Sequence, residues 1–564
     1  MSDPTNNALV WLAVVPVITG LLCVPLVNQL RLCRAISLLS FAATFVIAVM
    51  LLGQLDTWGV TSQVAADQAT ATSGGGGVMV SQMGGWAAPY GITLVFDSLS
   101  GLMLAGASLV AFCATLHAIS SLPERTERRY FHPLVNFMML GINLSFLTGD
   151  LFNLFVAFEI MLMASYGLLV IGGGKAQLRQ AYKYVVMNLL ASSVFVIAAG
   201  MAYGMMGTLN MADLARLTAE LAAKDELPTG FTALGVLFLF VFTLKAGVFP
   251  LWFWLPDTYP TLPIAIAGLF GGVLTKVGLY AIARTFSLIF LSGDAGDVLA
   301  PILGLGAALT MLVGVLGALA YTSVRRVLCM MLIVGVGYSL FGIVTMTAGS
   351  LQGAAFYMAQ SMLVMAGLFL CCGLVERATG SDDVGRMGAL LQQPRLIGLG
   401  VMVFIGLMSV VGLPPTSGFY GKLLIVREGL STNLWWVGVT ALLVGGFSLL
   451  AALRLWGSTF WGPAPTPGPG RSGDAVSAGD DAAASNTARP PRNEVIAAAA
   501  LVIASLGLGF FAEPAVKTAG QAGQQLVQPQ AYINAVLHNP RYVQDKLADA
   551  KASYGDDKHE ENHP

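Results

Sequence analysis

The sequence predicts an all-α, polytopic membrane protein with about 14 transmembrane helices, in two inverted repeats that each carry a discontinuous helix. Three observations lead there. Of the 564 residues, 56% are hydrophobic and only 10% are charged, and the mean hydropathy is +0.74. A soluble chain carries about a quarter charged residues, so these few polar groups cannot cover a globule of this size in water, and bilayer lipid is the natural solvent. Apolar runs long enough to span recur along the chain, and arginine gathers in alternate connecting loops.

A spanning helix needs about 20 mostly apolar residues. Such runs lie near 8–28, 36–54, 97–119, 133–148, 150–171, 183–206, 232–250, 263–288, 299–321, 327–347, 352–375, 396–426, 434–461 and 494–512. Two are interrupted. One breaks after Lys245 at Gly247, Pro250, Pro256, Pro260 and Pro263, the other at Gly412-Leu413-Pro414-Pro415. Proline removes a backbone donor and clashes with the preceding turn, so these helices split in mid-membrane. Two broken helices with a lysine beside each suggest duplication, a recurring transporter plan.

The organisation follows. Residues 1–96 hold N-terminal transmembrane helices and an extracytoplasmic loop, polar over 55–90. Residues 97–462 are a proton-translocating core, 463–493 a disordered cytoplasmic linker by composition, 494–512 the last transmembrane helix, and 513–564 an extracytoplasmic polar tail with short surface helices.

Loop charge sets the orientation. Arg31 and Arg34; Arg125, Arg128 and Arg129; Lys175 and Arg179; Arg325 and Arg326; and Arg377, Arg386 and Arg395 fall in alternate loops. The positive-inside rule makes that side cytoplasmic and both termini extracytoplasmic, in a multi-pass protein of the cell inner (cytoplasmic) membrane. The N-terminus lacks a positive n-region and a small-residue cleavage site, so the first apolar run is expected to be a retained span.

A net charge of −1 gives no argument for nucleic-acid binding. The six cysteines show no CxxC spacing, so no disulfide framework, iron–sulfur cluster or zinc site is expected, and Cys371-Cys372 reads as small apolar filler. No cofactor, metal site or enzymatic residue set emerges.

A few charges sit where lipid or packed helix is expected. Each costs at least about 2.5–3.5 kcal/mol at a helix centre. Glu159, in TGDLFNLFVAFEIMLMASY, is expected to face the bundle interior and to exchange a proton. Lys245 sits in FVFTLKAGVFPLWFWLP at the first break, and Glu159 is its expected partner, since a nearby carboxylate opposes the effect of desolvation on a lysine. Lys276 lies mid-span, whereas Arg284, nearer the end, is expected to snorkel. Lys422 follows the second break at Pro414 and Pro415. Asp97 and Asp150, at span starts, read as helix N-terminal acids. Glu159, Lys245, Lys276 and Lys422 thus form the candidate proton pathway.

The stretches TGDLFNLFVAFEIMLMASY, YKYVVMNLLASS, LKAGVFPLWFWLPDTYPTLP, GGVLTKVGLYAIAR, GLPPTSGFYGKLLI and LRLWGSTFWG resemble the antiporter-like subunits shared by Mrp-type cation/proton antiporters, respiratory complex I and membrane-bound hydrogenases. The first is similar to the fifth helix as it occurs in the D-type subunits of Mrp antiporters. The resemblance runs from about Asp97 to Gly462. It implies that Glu159 and Lys245 match the family's glutamate–lysine pair, Lys276 its central-axis lysine, and Lys422 the lysine of the second broken helix. It further implies a subunit of a hetero-oligomeric complex moving protons and a monovalent cation, with Na+ expected, rather than an enzyme.

One departure stands out. The family places a histidine and a lysine in the helix that here reads LQGAAFYMAQSMLVMAGLFLCCGLV, where Met365 takes the lysine's place. From Val327 to Val375 there is no Asp, Glu, Lys, Arg or His. Water held by Tyr357, Gln360 and Ser361 is the expected bridge between Lys276 and Lys422; a rerouted or impaired second half is the alternative. Two other functions fit the core: a proton-pumping membrane subunit of NADH dehydrogenase or a hydrogenase, and a scaffold subunit that no longer transports.

Overall fold

The computed structural model describes residues 4–66, 77–291, 294–463 and 490–537. Most of the expected linker and the far end of the tail lie outside the described residues. Eleven described helices are long and apolar enough to cross a membrane, and three shorter apolar ones, Ala8–Cys23, Phe131–Leu147 and Phe231–Ala246, complete the fourteen segments read from the sequence.

In chain order, α1 (Pro4–Cys23) and α2 (Leu30–Ala66) lead to a small antiparallel hairpin, β1 (Met79–Gln82) with β2 (Thr93–Phe96), inside the region expected to be only loop. Asp97 then caps α3 (Ser98–Ser121): its carboxylate accepts from the Ser100 N–H while the Ser100 hydroxyl faces the Asp97 N–H, a reciprocal box that fixes the start. The one-turn α4 (Glu124–Glu127) precedes α5 (Phe131–Leu147), α6 (Leu151–Val170) and α7 (Lys175–Met206). Helix α7 begins eight residues earlier than its apolar run, so Lys175 and Arg179 extend the helix beyond the hydrophobic layer and are not loop residues.

An amphipathic α8 (Met211–Ala223) leads to α9 (Phe231–Ala246), the short α10 (Trp254–Thr258), α11 (Ile264–Thr285), α12 (Asp294–Ala320), α13 (Val324–Val344) and α14 (Ala348–Thr379). Then come α15 (Ile397–Val411), α16 (Ser417–Leu430), α17 (Trp435–Trp456), α18 (Arg492–Phe510), α19 (Ala512–Val527) and α20 (Gln530–Leu537). Helices α11, α13 and α14 form the buried centre, with α2, α7, α17 and α18 around them largely exposed. An apolar exposed surface on the outer helices is what a lipid solvent allows.

The two ends of the bundle differ. At one end the arginines are tied down: Arg34 forks onto Glu127, which His132 also contacts at 2.8 Å; Arg325 forks onto Glu376 and donates to the Pro260 and Leu262 carbonyls; Arg377 pairs with Glu494. Burial pushes the Glu127 carboxyl up, but the hydrogen bonds from Arg34 and His132 outweigh it and hold that group below the usual carboxylate range. At the opposite end β2, the Thr148–Asp150 turn, Asn210 and the tail helices meet.

Both breaks use the same device. Gly247 at φ 76° and Gly412 at φ 90° end α9 and α15 in the left-handed region, which costs glycine no Cβ clash. The N–H of Val248 reaches back to the Thr243 carbonyl, and that of Leu413 to the Met408 carbonyl. A proline with a cis peptide follows three residues after each glycine, at Pro250 and Pro415.

Candidate functional site

The first break is held against the central helix. A Cβ on Gly278 of α11 would lie 2.6 Å from the Ala246 nitrogen, so the end of α9 rests directly on α11 beside Lys276. The last carbonyls of α9 have lost their helical partners. Leu244's accepts from the Trp254 indole N–H at 3.2 Å, and the Phe249 N–H finds the Thr310 hydroxyl at 2.9 Å. Pro256 lies inside α10, beyond the break.

Lys245 is 5% exposed, and its ammonium has no hydrogen-bond partner; it rests 5.4 Å from the Phe158 ring. Glu159, the next residue along α6, exerts its charge on Lys245, but the two form no contact ion pair. The Glu159 carboxylate instead accepts from the Ser192 hydroxyl of α7. The carboxylate thus lies against α7, on the side from which its charge reaches Lys245. It is half-buried, on the stripe of α6 that exposes Phe152, Val156 and Met163, because the 152–156–159–163 spacing follows the helix period. The cost argument correctly bars lipid contact for this carboxylate, yet another subunit satisfies it as well as the bundle interior does.

Lys276, 2% exposed, folds back along α11 and donates to the Gly271 carbonyl at 3.1 Å. Arg284 does not snorkel: it is buried and pairs with Asp97 at 2.6 Å. Asp97 is therefore both a helix cap and the counter-ion of a buried arginine, a long-range pairing that neither residue's local sequence announces.

At the second break Pro414 and Pro415 separate α15 from α16, and Lys422 turns back toward the break. Its ammonium donates to the orphaned Val411 carbonyl at 2.9 Å and lies 4.1 Å from the Tyr338 ring and 5.9 Å from that of Tyr357. The Tyr338 hydroxyl donates to the Ala441 carbonyl.

Gln360 is joined to a knot of hydroxyls that the sequence did not reveal. Its Oε1 lies 3.4 Å from Ser409 Oγ and 3.3 Å from Ser417 Oγ, and Ser505 Oγ lies 3.2 and 3.0 Å from the same two serines. Four helices, α14, α15, α16 and α18, thus bring polar groups together against the one helix, α14, that carries Gln360 of the charge-free segment. Ser361 and Tyr357 face Gly335 of α13, while Met365 is fully buried. The structure thus gathers Tyr357, Gln360 and Ser361 on the Lys422 side, and no hydrogen bond among the described residues links them to Lys276. Among these residues no group of three or more His, Cys, Asp or Glu could hold a metal ion.

The family model described as "NADH:quinone oxidoreductase/Mrp antiporter, TM" matches residues 148–448, from just before α6 to within α17. The chain is 36% identical over 533 residues to the D-type subunit of the Na(+)/H(+) antiporter of Bacillus subtilis (strain 168), covering 94% of this chain and 99% of that one. It is 40% identical over 465 residues to the protein of that name from Alkalihalophilus pseudofirmus, covering 82% and 89%. Among solved structures, a chain of the Mrp complex from Dietzia sp. DQ12-45-1b superposes with a TM-score of 0.82 at 28% identity, covering 95% of this chain and all of that one.

Proposed function

The chain belongs to the NADH:quinone oxidoreductase/Mrp antiporter family of membrane subunits, and on that premise we propose that it is the D-type subunit of a hetero-oligomeric cation/proton antiporter, conducting protons through Glu159, Lys245, Lys276 and Lys422, with Na+ as the exchanged cation. The observation that carries the reading is three lysines, 5%, 2% and 8% exposed, inside an apolar bundle with no carboxylate among the described residues in contact with any of them. A buried ammonium without a counter-ion is costly, which suits a carrier that is charged only in passing and not a staple.

Glu159 supports the multi-subunit assembly. Glu159 is half-buried and bonded to Ser192, at the border of a stripe of α6 that exposes Phe152, Val156 and Met163, and a partner subunit packed on that stripe would complete its removal from lipid. The arginine-rich end, tied down through Glu127, Glu376 and Glu494, is assigned to the cytoplasm, which places both termini outside the inner membrane.

The functional test is proton movement driven by a sodium gradient in vesicles carrying the assembled complex. Glu159→Ala and Lys245→Ala should each abolish it while the complex still co-purifies; full exchange by both variants overturns the assigned roles. A redox-driven pump is the second reading, because the matching family spans both kinds of complex. The subunits that co-purify with the chain decide between them.

A further inference from the structure

We propose that Asp97 and Arg284 form the outer gate of the Lys276 pathway, and that Tyr532 of α20 holds the gate's arginine in place from outside. The proposal rests on the reading of Lys276 as a proton carrier.

Lys276, Tyr280 and Arg284 follow one another at four-residue spacing, so they share one face of α11 and lead from its centre to the end opposite the arginine-rich loops. All three are buried, and nothing in the relay from Glu159 to Lys422 uses the last two. The Tyr280 hydroxyl donates to the Phe146 carbonyl at 2.7 Å and faces Arg284 Nη2 at 3.2 Å. Arg284 in turn meets Asp97 Oδ2 at 2.6 Å, while Asp97 Oδ1 is occupied by the Ser100 N–H. The row therefore ends, through Arg284, on the Asp97 carboxylate.

A pair that merely staples helices strands a buried charge when it opens. Here the guanidinium has a second seat. It lies 5.4 Å from the Tyr280 ring and 5.2 Å from the Tyr532 ring, two aromatic faces that hold a cation whether or not Asp97 is charged. Tyr532 arrives on the C-terminal segment, which α19 fastens to the bundle: Gln352 Nε2 donates to the Val516 carbonyl at 2.9 Å, and the Ser98 N–H donates to Gln525 Oε1 at 3.3 Å. The Tyr532 hydroxyl is buried without a hydrogen-bond partner, so its ring, not its hydroxyl, is what the site uses.

The exchange step balances in protons. A proton from the outer solution neutralises the Asp97 carboxylate, and Arg284 stays between the two rings. Asp97 then gives that proton up toward neutral Lys276, along the face of α11 on which Tyr280 stands between Lys276 and Arg284, and the restored carboxylate recaptures Arg284. The opposite flux runs the same steps backwards. The other ionisable groups facing the pair are Tyr280 and Tyr532, and Asp150 at the start of α6 acts on Tyr532 from beyond it.

The test uses the whole complex in vesicles and follows sodium-driven proton exchange across pH. Asp97→Asn keeps the cap but cannot change charge, and exchange should fall at least about tenfold with the complex intact, as for loss of a proton-transfer group. The double variant Asp97→Asn with Arg284→Gln keeps the cap and replaces the ion pair by a neutral hydrogen-bonded pair, so the complex should assemble without exchange; a mere staple would retain exchange. Should Asp97→Asn fail to assemble, Tyr532→Ala on the surface-bound α20 decides: the gate requires a several-fold loss and a displaced pH profile, recovered by Tyr532→Phe. Normal rates and an unshifted profile in Asp97→Asn or Tyr532→Ala overturn the gate while Glu159→Ala remains dead. A wild-type complex that exchanges nothing overturns the functional reading itself and the gate with it.

Discussion

The two breaks are built alike and leave their lysines in different states. Each ends a helix on a left-handed glycine, follows it three residues later with a cis-proline peptide, and leaves a carbonyl without its helical partner. At the first break the Trp254 indole takes the Leu244 carbonyl, so Lys245 keeps an ammonium with no hydrogen bond and a carboxylate within electrostatic reach. At the second no indole is supplied, and Lys422 itself takes the Val411 carbonyl while two tyrosine rings cover it. The first lysine is free to respond to charge; the second is docked. What divides them is whether the lysine itself bonds a carbonyl at its own break.

The sharpest break of this comparison is to remove each lysine in turn. Lys245→Met should abolish exchange, by about a hundredfold or more, as expected for a group that carries the proton itself. Lys422→Met should cost about tenfold, since the hydroxyl knot beside it offers another route and the main loss is an orphaned Val411 carbonyl worth about 1–3 kcal/mol. Equal losses, measured as sodium-driven proton flux per assembled complex, would mean that docking does not distinguish the two sites.

Trp254→Phe makes the first break resemble the second. With the indole N–H gone, the Leu244 carbonyl keeps only the Gly247 N–H at 3.3 Å, and the vacant acceptor position is expected to dock the unpaired Lys245 ammonium. Exchange should fall roughly tenfold, about 1.4 kcal/mol of barrier, with the aromatic packing against Tyr184 and Tyr259 retained. A variant with unchanged flux would show that the free ammonium is irrelevant.

How much of this was legible in the sequence follows from the range of each signal. The fourteen spans, both breaks and the three lysines were legible, because apolar length, proline and a mid-span charge are local and lipid makes each expensive to misplace. Contacts between distant segments were not. Arg284 looked like a snorkelling side chain because its counter-ion stands 187 residues earlier, at Asp97 (284 − 97). The partner of Glu159 was not legible either, since Ser192 stands 33 residues further on in another helix. Ser409, Ser417 and Ser505 carry no mark of their own, since serine in a spanning helix usually bonds the preceding turn.

Gln360 tests whether the charge-free segment conducts at all. Gln360→Leu removes the carbonyl that lies against Ser409 and Ser417, leaving their hydroxyls only each other and Ser505. If protons cross this segment through the knot, exchange should fall about fivefold, close to the 0.5–1.5 kcal/mol of a single hydrogen bond. If the second half is rerouted through another subunit, flux should be unchanged while Lys245→Met remains inactive.

Ser505→Ala is the finest of these probes, with an expected loss of about two- to threefold, the low end of one neutral hydrogen bond. Ser505 reaches the knot from α18, the helix that follows the linker, whereas Ser409 and Ser417 flank the break itself. Removing its hydroxyl leaves the Ser409–Ser417 contact at 3.1 Å and the Lys422–Val411 bond in place. A loss as large as that of Gln360→Leu would make α18 an integral part of the pathway. No loss in Ser505→Ala together with a clear loss in Gln360→Leu would confine conduction to the break, between a docked lysine and the two serines on either side of its prolines.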